Sequence, residues 1–130
     1  MLRPGGRIVL MEHGTAIQGA LQVFSPEWFF NFFAINNYID CRIKLFTFPN
    51  GITGEPWVAH RWRPFNSGVP VTATPGTEIG DFMNIIIAEK GNESTDGRVP
   101  IQAQYRDLHG DKNNLYLEAQ QRYSMSGRAW

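Results

Sequence analysis

The sequence has one cysteine, Cys41, in 130 residues. A single thiol can close no intrachain disulfide and build no cysteine zinc cluster, so a reducing, cytoplasmic setting is expected. Excess charge is also missing. Twelve basic residues balance twelve acidic ones, and no sustained basic block occurs. That argues against an electrostatic nucleic-acid binder. Long apolar runs are absent as well. Stretches such as Ile85-Ile86-Ile87-Ala88 are far too short to span a bilayer. The first residues lack the basic segment and apolar core of a secretion signal. There is no internal repeat, no low-complexity tract, no phosphate-binding loop and no serine nucleophile elbow. What remains is enough for one modest domain: 42% of residues are hydrophobic and 18% charged, so a core can form.

Pro4-Gly5-Gly6 reads as a turn, since Gly accepts positive φ and Pro fixes the backbone beside it. The run Ile8 to Met11 is apolar at every position. It predicts a strand covered on both faces, as in a parallel α/β sheet. Polarity returns at Glu12-His13-Gly14.

Ser25-Pro26-Glu27 is a helix start. Ser caps free backbone N–H groups, Pro suits the first helical position, and Glu favours the positive end of the helix dipole. The helix WFFNFFAINN follows. It places Trp28, Phe29, Phe32, Phe33 and Asn36 on one side, and Asn36-Asn37 tolerates the left-handed geometry that ends a helix. So many aromatics suit either a membrane or ligand surface or a helix packed on a sheet; strands on both sides favour packing. The next strand, Cys41 to Phe48, alternates Cys41, Ile43 and Leu45 against Arg42 and Lys44, and its partly polar start suits an edge. Residues 49 to 81 read as a long irregular loop rich in Gly and Pro. Phe82 to Lys90 is a strong strand. Residues 91 to 100 read as a polar linker. In the tail, Asn114 to Tyr123 suits a short helix and Ile101 to Tyr105 an extended segment.

Taken in order, LRPGGRIVL, SPEWFFNFFAINNYIDCRIKLF and FMNIIIAEK resemble the C-terminal half of class I S-adenosylmethionine-dependent methyltransferases. The segment GEPWVAHRWRPF further resembles the loop between the last two strands of methyltransferases encoded near bacterial surface-polysaccharide genes. The resemblance implies a partial Rossmann-like α/β sheet: the fifth to seventh strands and one covering helix, with an irregular loop and a C-terminal tail. Residues 1–90 would form this half-domain, with 49–81 as the loop between the last two strands. Residues 91–130 would be a linker and tail that the resemblance does not cover. In that family an antiparallel seventh strand inserts between the fifth and sixth. Ile8 to Met11 would then pair with Phe82 to Lys90 on one side and with an absent strand on the other.

The implied cofactor is S-adenosylmethionine, which that family binds through its N-terminal half. Close backbone approach needs a Gly-rich turn between strand and helix, and the ribose hydroxyls need an acidic acceptor. Gly5-Gly6, Gly51 to Gly54 and Gly76 to Gly80 do not supply such a turn. The main cofactor site is therefore expected outside this chain, and the isolated chain is expected to be inactive.

Two groups of residues are candidates for chemistry. Ligands in open α/β sheets sit beyond the carboxyl ends of parallel strands, where Glu12 and His13 fall. His13 is the candidate catalytic base, and Glu12 would orient it or hold an acceptor; the alternative is an idle solvent-facing turn. Trp57, His60, Arg61 and Trp62 suit an aromatic and cationic lid over a sugar or anionic acceptor. The alternative is a clamp that pins the loop to the sheet. His109 has no partner ligands placed to complete a metal site, and Cys41 reads as packing.

Two functions follow. The chain is the acceptor-binding portion of a methyltransferase whose other half is supplied separately or by an N-terminal extension. Alternatively it is a truncated remnant or a small α/β protein-interaction module. Its expected partners are the missing half, or a second copy through the edge of the strand 8–11, and a small-molecule or sugar acceptor. Neither nucleic acid nor a membrane span is expected.

Overall fold

The computed structural model describes residues 2–14, 24–48, 53–54, 56–62, 82–101 and 111–125. Four strands and two helices follow in the order β1 (Arg7–His13), α1 (Pro26–Ile35), β2 (Asp40–Thr47), β3 (Val58–Arg61), β4 (Phe82–Glu89) and α2 (Asp111–Met125). The fold is mixed α/β.

The strands form one sheet in the order β1-β4-β2-β3, and every neighbouring pair is antiparallel. β1 and β2, both antiparallel to β4, therefore run parallel to each other. The turn before β1 uses Gly5 at φ 77°, a left-handed geometry that favours glycine. It is tied to the far end of β4 by Gly5 N–H to Lys90 O at 2.7 Å and Lys90 N–H to Gly6 O at 3.0 Å.

Helix α1 starts and stops where its sequence signals stand. The Ser25 hydroxyl accepts from Trp28 N–H at 3.2 Å, and Pro26 opens the helix. Asn37, at φ 56°, turns the chain out of it. Phe29, Phe30, Phe33, Ala34 and Ile35 are buried, so its apolar surface is spent on packing. Trp28 stacks on Phe32 at 5.4 Å, and Phe33 meets Tyr38 edge-on at 4.8 Å.

Pleating divides the sheet residues into two faces. Ile8, Leu10 and Glu12 share one face with Ala88, Ile86 and Asn84, and with Cys41, Ile43 and Leu45. That face carries the core, to which α1 contributes its phenylalanines. Val9, Met11, Ile85 and Ile87 lie on the other face.

Four expectations need correction. β1 is not covered on both faces: Val9 is 66% and Met11 58% exposed, because α1 covers one face alone among the described elements. The neighbour of β1 is an antiparallel strand, the orientation that the resemblance implied, so the apolar run alone misread the sheet as parallel. β2 is not an edge along Lys44 to Thr47, where β3 pairs with it. Consequently the segment 49–81 is not wholly irregular, since Val58 to Arg61 supply that fourth strand.

Beyond β4 the chain joins the same core. Residues 94 to 98 form a strap across the end of α1. Asn36 is fully buried there; its Nδ2 donates to Phe32 O and Arg98 O, both at 2.9 Å. Its Oδ1 accepts from Thr95 Oγ1 at 2.9 Å and Arg98 N–H at 3.0 Å. Asp96 takes the Tyr38 hydroxyl at 2.6 Å and Lys90 Nζ at 2.7 Å. Helix α2 is longer than the stretch Asn114 to Tyr123 expected for it. Tyr116, Ala119 and Tyr123 bury its inner side, and Tyr123 donates to Tyr38 O at 2.8 Å. The extended segment expected after Ile101 lies outside the described residues.

Candidate functional site

The parallel strands β1 and β2 finish at the same end of the sheet. β4 begins there, and Asn84, its third residue, lies between Glu12 of β1 and Leu45 of β2. The residues leading into α1 reach the same end, where Phe24 O accepts from Asn84 Nδ2 at 3.1 Å. The ends of β1 and β2, the start of β4 and the approach to α1 therefore gather at one end of the sheet.

Glu12 and His13 stand at this end but do not act as a pair. Successive strand residues face opposite ways, so Glu12 lies on the α1 face and His13, opposite Met83, on the other. Glu12 is exposed. His13 is half-buried, and its Nδ1 is buried with no hydrogen-bond partner among the described residues. Glu12 consequently does not fix the imidazole tautomer, which was one role considered for it.

Gly14 closes β1. Its N–H donates to Phe82 O at 2.9 Å, and a Cβ there would meet the Phe82 ring at 1.8 Å. The space beside this glycine is thus filled by protein. Gly5 has open space beside it but precedes a strand rather than joining a strand to a helix. Neither Gly5 nor Gly14 therefore offers an open turn between a strand and a helix, the approach that S-adenosylmethionine needs.

The lid residues divide. His60 lies opposite Leu45, on the α1 face, and its Nε2 is 3.0 Å from Thr47 Oγ1. Trp62 continues this pairing through its N–H to Ile43 O at 3.4 Å. Its ring lies 6.0 Å from Phe30 and packs against the core. Trp57 instead meets Phe48 edge-on at 5.0 Å and stays 46% exposed. The backbone of Arg61 pairs with Lys44. Trp57 and Trp62 flank β3 at its two ends and pack on different partners, Phe48 and Phe30, so they are not brought over one acceptor. Trp62 takes the clamp role in this geometry.

Cys41 is packed, as its sequence context implied. Burial, with Asp40 nearby, pushes its thiol well above the usual range and keeps it un-ionised. His109 lies outside the described residues. Among the described residues no group of three His, Cys, Asp or Glu is placed to hold a metal ion.

Sequence reasoning missed Asn84. It is fully buried, and its Oδ1 has no hydrogen-bond partner among the described residues. The signal was present: an asparagine inside FMNIIIAE at the same parity as Ile86 and Ala88 had to face the core. Comparison of the chain with protein-family models, curated proteins and solved structures found no match.

Proposed function

We propose that this chain is the acceptor-binding C-terminal portion of an S-adenosylmethionine-dependent methyltransferase, working with a cofactor-binding half. One observation carries the reading. β4 lies antiparallel between β1 and β2, two parallel strands joined through α1. This is the arrangement that the resemblance implies for the fifth, seventh and sixth strands of that family's Rossmann-like sheet. Short antiparallel sheets more often order themselves through consecutive hairpins. Here the last strand inserts between the first two instead.

In this reading β1 is the joint between the halves. It ends the strand order, and the apolar Val9 and Met11 lie exposed beside that edge. The acceptor would lie beyond the ends of β1 and β2, and His13 would take the proton from its hydroxyl or amine. The cofactor would supply the methyl group from the other half.

Reconstitution tests this. DNA upstream of Met1 is read for a strand, Gly-rich turn and helix; that product is co-purified with the chain, and transfer of labelled methyl groups to a small-molecule extract is measured. Stable association with transfer is expected. Absence of such a reading frame, or of transfer by the assembled pair, would remove the proposal. The second reading, a protein-interaction module, draws on the same exposed Val9 and Met11. It gains if the chain captures a protein with no cofactor-binding pattern.

A further inference from the structure

β1 has a symmetry that the sheet leaves unused. It ends the strand order among the described strands, and its seven residues, Arg7 to His13, have Leu10 at their centre. Lys90 N–H to Gly6 O and Gly14 N–H to Phe82 O turn the even-numbered residues toward β4, so Arg7, Val9, Met11 and His13 present their backbone groups outward. Such an edge templates a further strand, and no Lys, Pro or bulge blunts it.

A second β1 laid antiparallel meets those groups in one of several registers. Centred on Val9, it leaves His13 with no strand residue opposite; centred on Met11, it leaves Arg7 so. Centred on Leu10, it pairs all four outward residues. The same register sets Val9 opposite the partner's Met11 and Met11 opposite the partner's Val9, apolar on apolar at positions 66% and 58% exposed. Arg7 falls opposite the partner's His13 rather than a second arginine, and its guanidinium is drawn toward β4 by Glu89 at 3.0 Å.

We propose that the unassembled chain is a two-fold dimer joined through β1, with Leu10 on the axis. Its interface is isologous, so it closes at two copies and adds no third. The dimer is a resting form, because it takes the edge that a complementary half needs. The dimer itself rests on β1 alone; only its exclusion of that half rests on the methyltransferase reading.

Sedimentation velocity of the full 130-residue chain at micromolar concentration should show a dimer. The register is read with Val9→Cys and Met11→Cys, both at exposed positions, oxidised separately and as an equal mixture. Opposed residues of this kind have Cα atoms about 5.5 Å apart and diagonal ones about 7–8 Å, while a disulfide spans about 4.4–6.8 Å. The mixture should therefore form a disulfide dimer about tenfold faster than either variant alone. Cys41 is buried and takes no part. A monomer, an open-ended aggregate, or a mixture that links no faster than the single variants would overturn the dimer in this register. The disulfide-locked dimer should fail to bind the product of the upstream reading frame, and capture of that product would overturn the exclusion. If the dimer forms in this register but the reconstituted pair transfers no methyl group, the dimer stands and the methyltransferase reading falls. Transfer by a pair whose free chain is monomeric gives the reverse.

Discussion

Replacing Asn36 by Ala should loosen the strap that ties the C-terminal third of the chain to α1. The backbone at Asn36 has φ −86° and ψ 10°, the geometry of a type I turn that most residues accept, so the effect belongs to the side chain. That side chain makes four hydrogen bonds: to Phe32 O, to Arg98 O, from Arg98 N–H and from Thr95 Oγ1. At about 1 kcal/mol net for each, the upper bound is ~4 kcal/mol. Thr95 and Arg98 are exposed, so water recovers part of this when they are released. Phe32 O keeps one partner, the backbone N–H of Asn36 at 3.2 Å. The expected loss is therefore roughly 2–3 kcal/mol, a large share of the ~5–15 kcal/mol typical of a domain. In a chain of this size that lowers Tm by roughly 6–15 °C. Urea unfolding measures the free energy, and hydrogen exchange reads the amides of Thr95 and Arg98. A matched control, Thr95→Ala, removes one of the four bonds and should cost ~0.5–1 kcal/mol. A loss below about 0.5 kcal/mol for Asn36→Ala, within the range of ordinary surface substitutions, would refute the strap as a stabilising element.

If the proposed pair transfers methyl groups, His13→Ala should lower its turnover by a factor on the order of 10² to 10⁴ while leaving cofactor binding intact; an unchanged turnover number removes His13 as the proposed base. Trp62→Ala should destabilise the fold by roughly 2–4 kcal/mol, since its ring packs on Phe30; unaltered stability with a raised Michaelis constant would return Trp62 to the acceptor lid. The pH dependence follows from Asp96, whose carboxyl is held below the usual range by Lys90 first and Tyr38 second. A depressed folded pKa means that its contribution is present above the unfolded carboxylate pKa and fades as pH falls through the folded one. Asp96→Asn should therefore flatten the acid limb of the stability curve; half of the Asp96 side chain is exposed, so the effect is small, and an identical acid limb would show that the strap does not use this charge. Val9→Lys, placing a cation in the middle of the exposed β1 edge, should make the isolated chain more monomeric in sedimentation velocity; unchanged association would move the contact elsewhere.

Legibility in the sequence followed how local each signal was. The limits of α1 were readable because Ser25, Pro26 and Asn37 act through their own backbone. The order β1-β4-β2 came from the resemblance of LRPGGRIVL and FMNIIIAEK to a known sheet and not from propensity. β3 was hidden because VAHR is short and polar, and only its pairing with Lys44 to Thr47 makes it a strand. The exposure of Val9 and Met11 was hidden for another reason. An all-apolar run says that both faces can be buried, but whether a second layer is present depends on other elements. The polar segment 94 to 98 read as a linker because its hydrogen bonds run to residues about sixty positions away. At the candidate site, Glu12 and His13 were found as residue types at a strand end. Their opposite faces follow from alternation, which the sequence had already supplied.

The placement of α2 bears on which partner β1 can accept. Its buried residues meet α1 and the neighbourhood of Tyr38, on the helix-covered side of the sheet. Tyr123 lies 5.8 Å from Phe30, and Arg122 donates to Asn37 Oδ1 at 3.1 Å. This helix therefore thickens the layer already formed by α1 and leaves Val9 and Met11 exposed. The outward backbone groups of β1 can be identified as well. Gly14 and Gly6 bond to β4 and its extension, so in an antiparallel ladder the even-numbered residues between them also face β4. Arg7, Val9, Met11 and His13 then turn their N–H and C=O groups to the other side. A strand seated there would satisfy those groups, and a helix following it across the sheet would cover Val9, Met11, Ile85 and Ile87. It would also bring its own end beside His13, whose Nδ1 is buried without a partner among the described residues. One added strand and helix would thus address the edge, the exposed face and the histidine together, whereas edge pairing by a second copy of β1 addresses only the first. On the proposed reading, a complementary half would therefore satisfy more of this surface than self-association would.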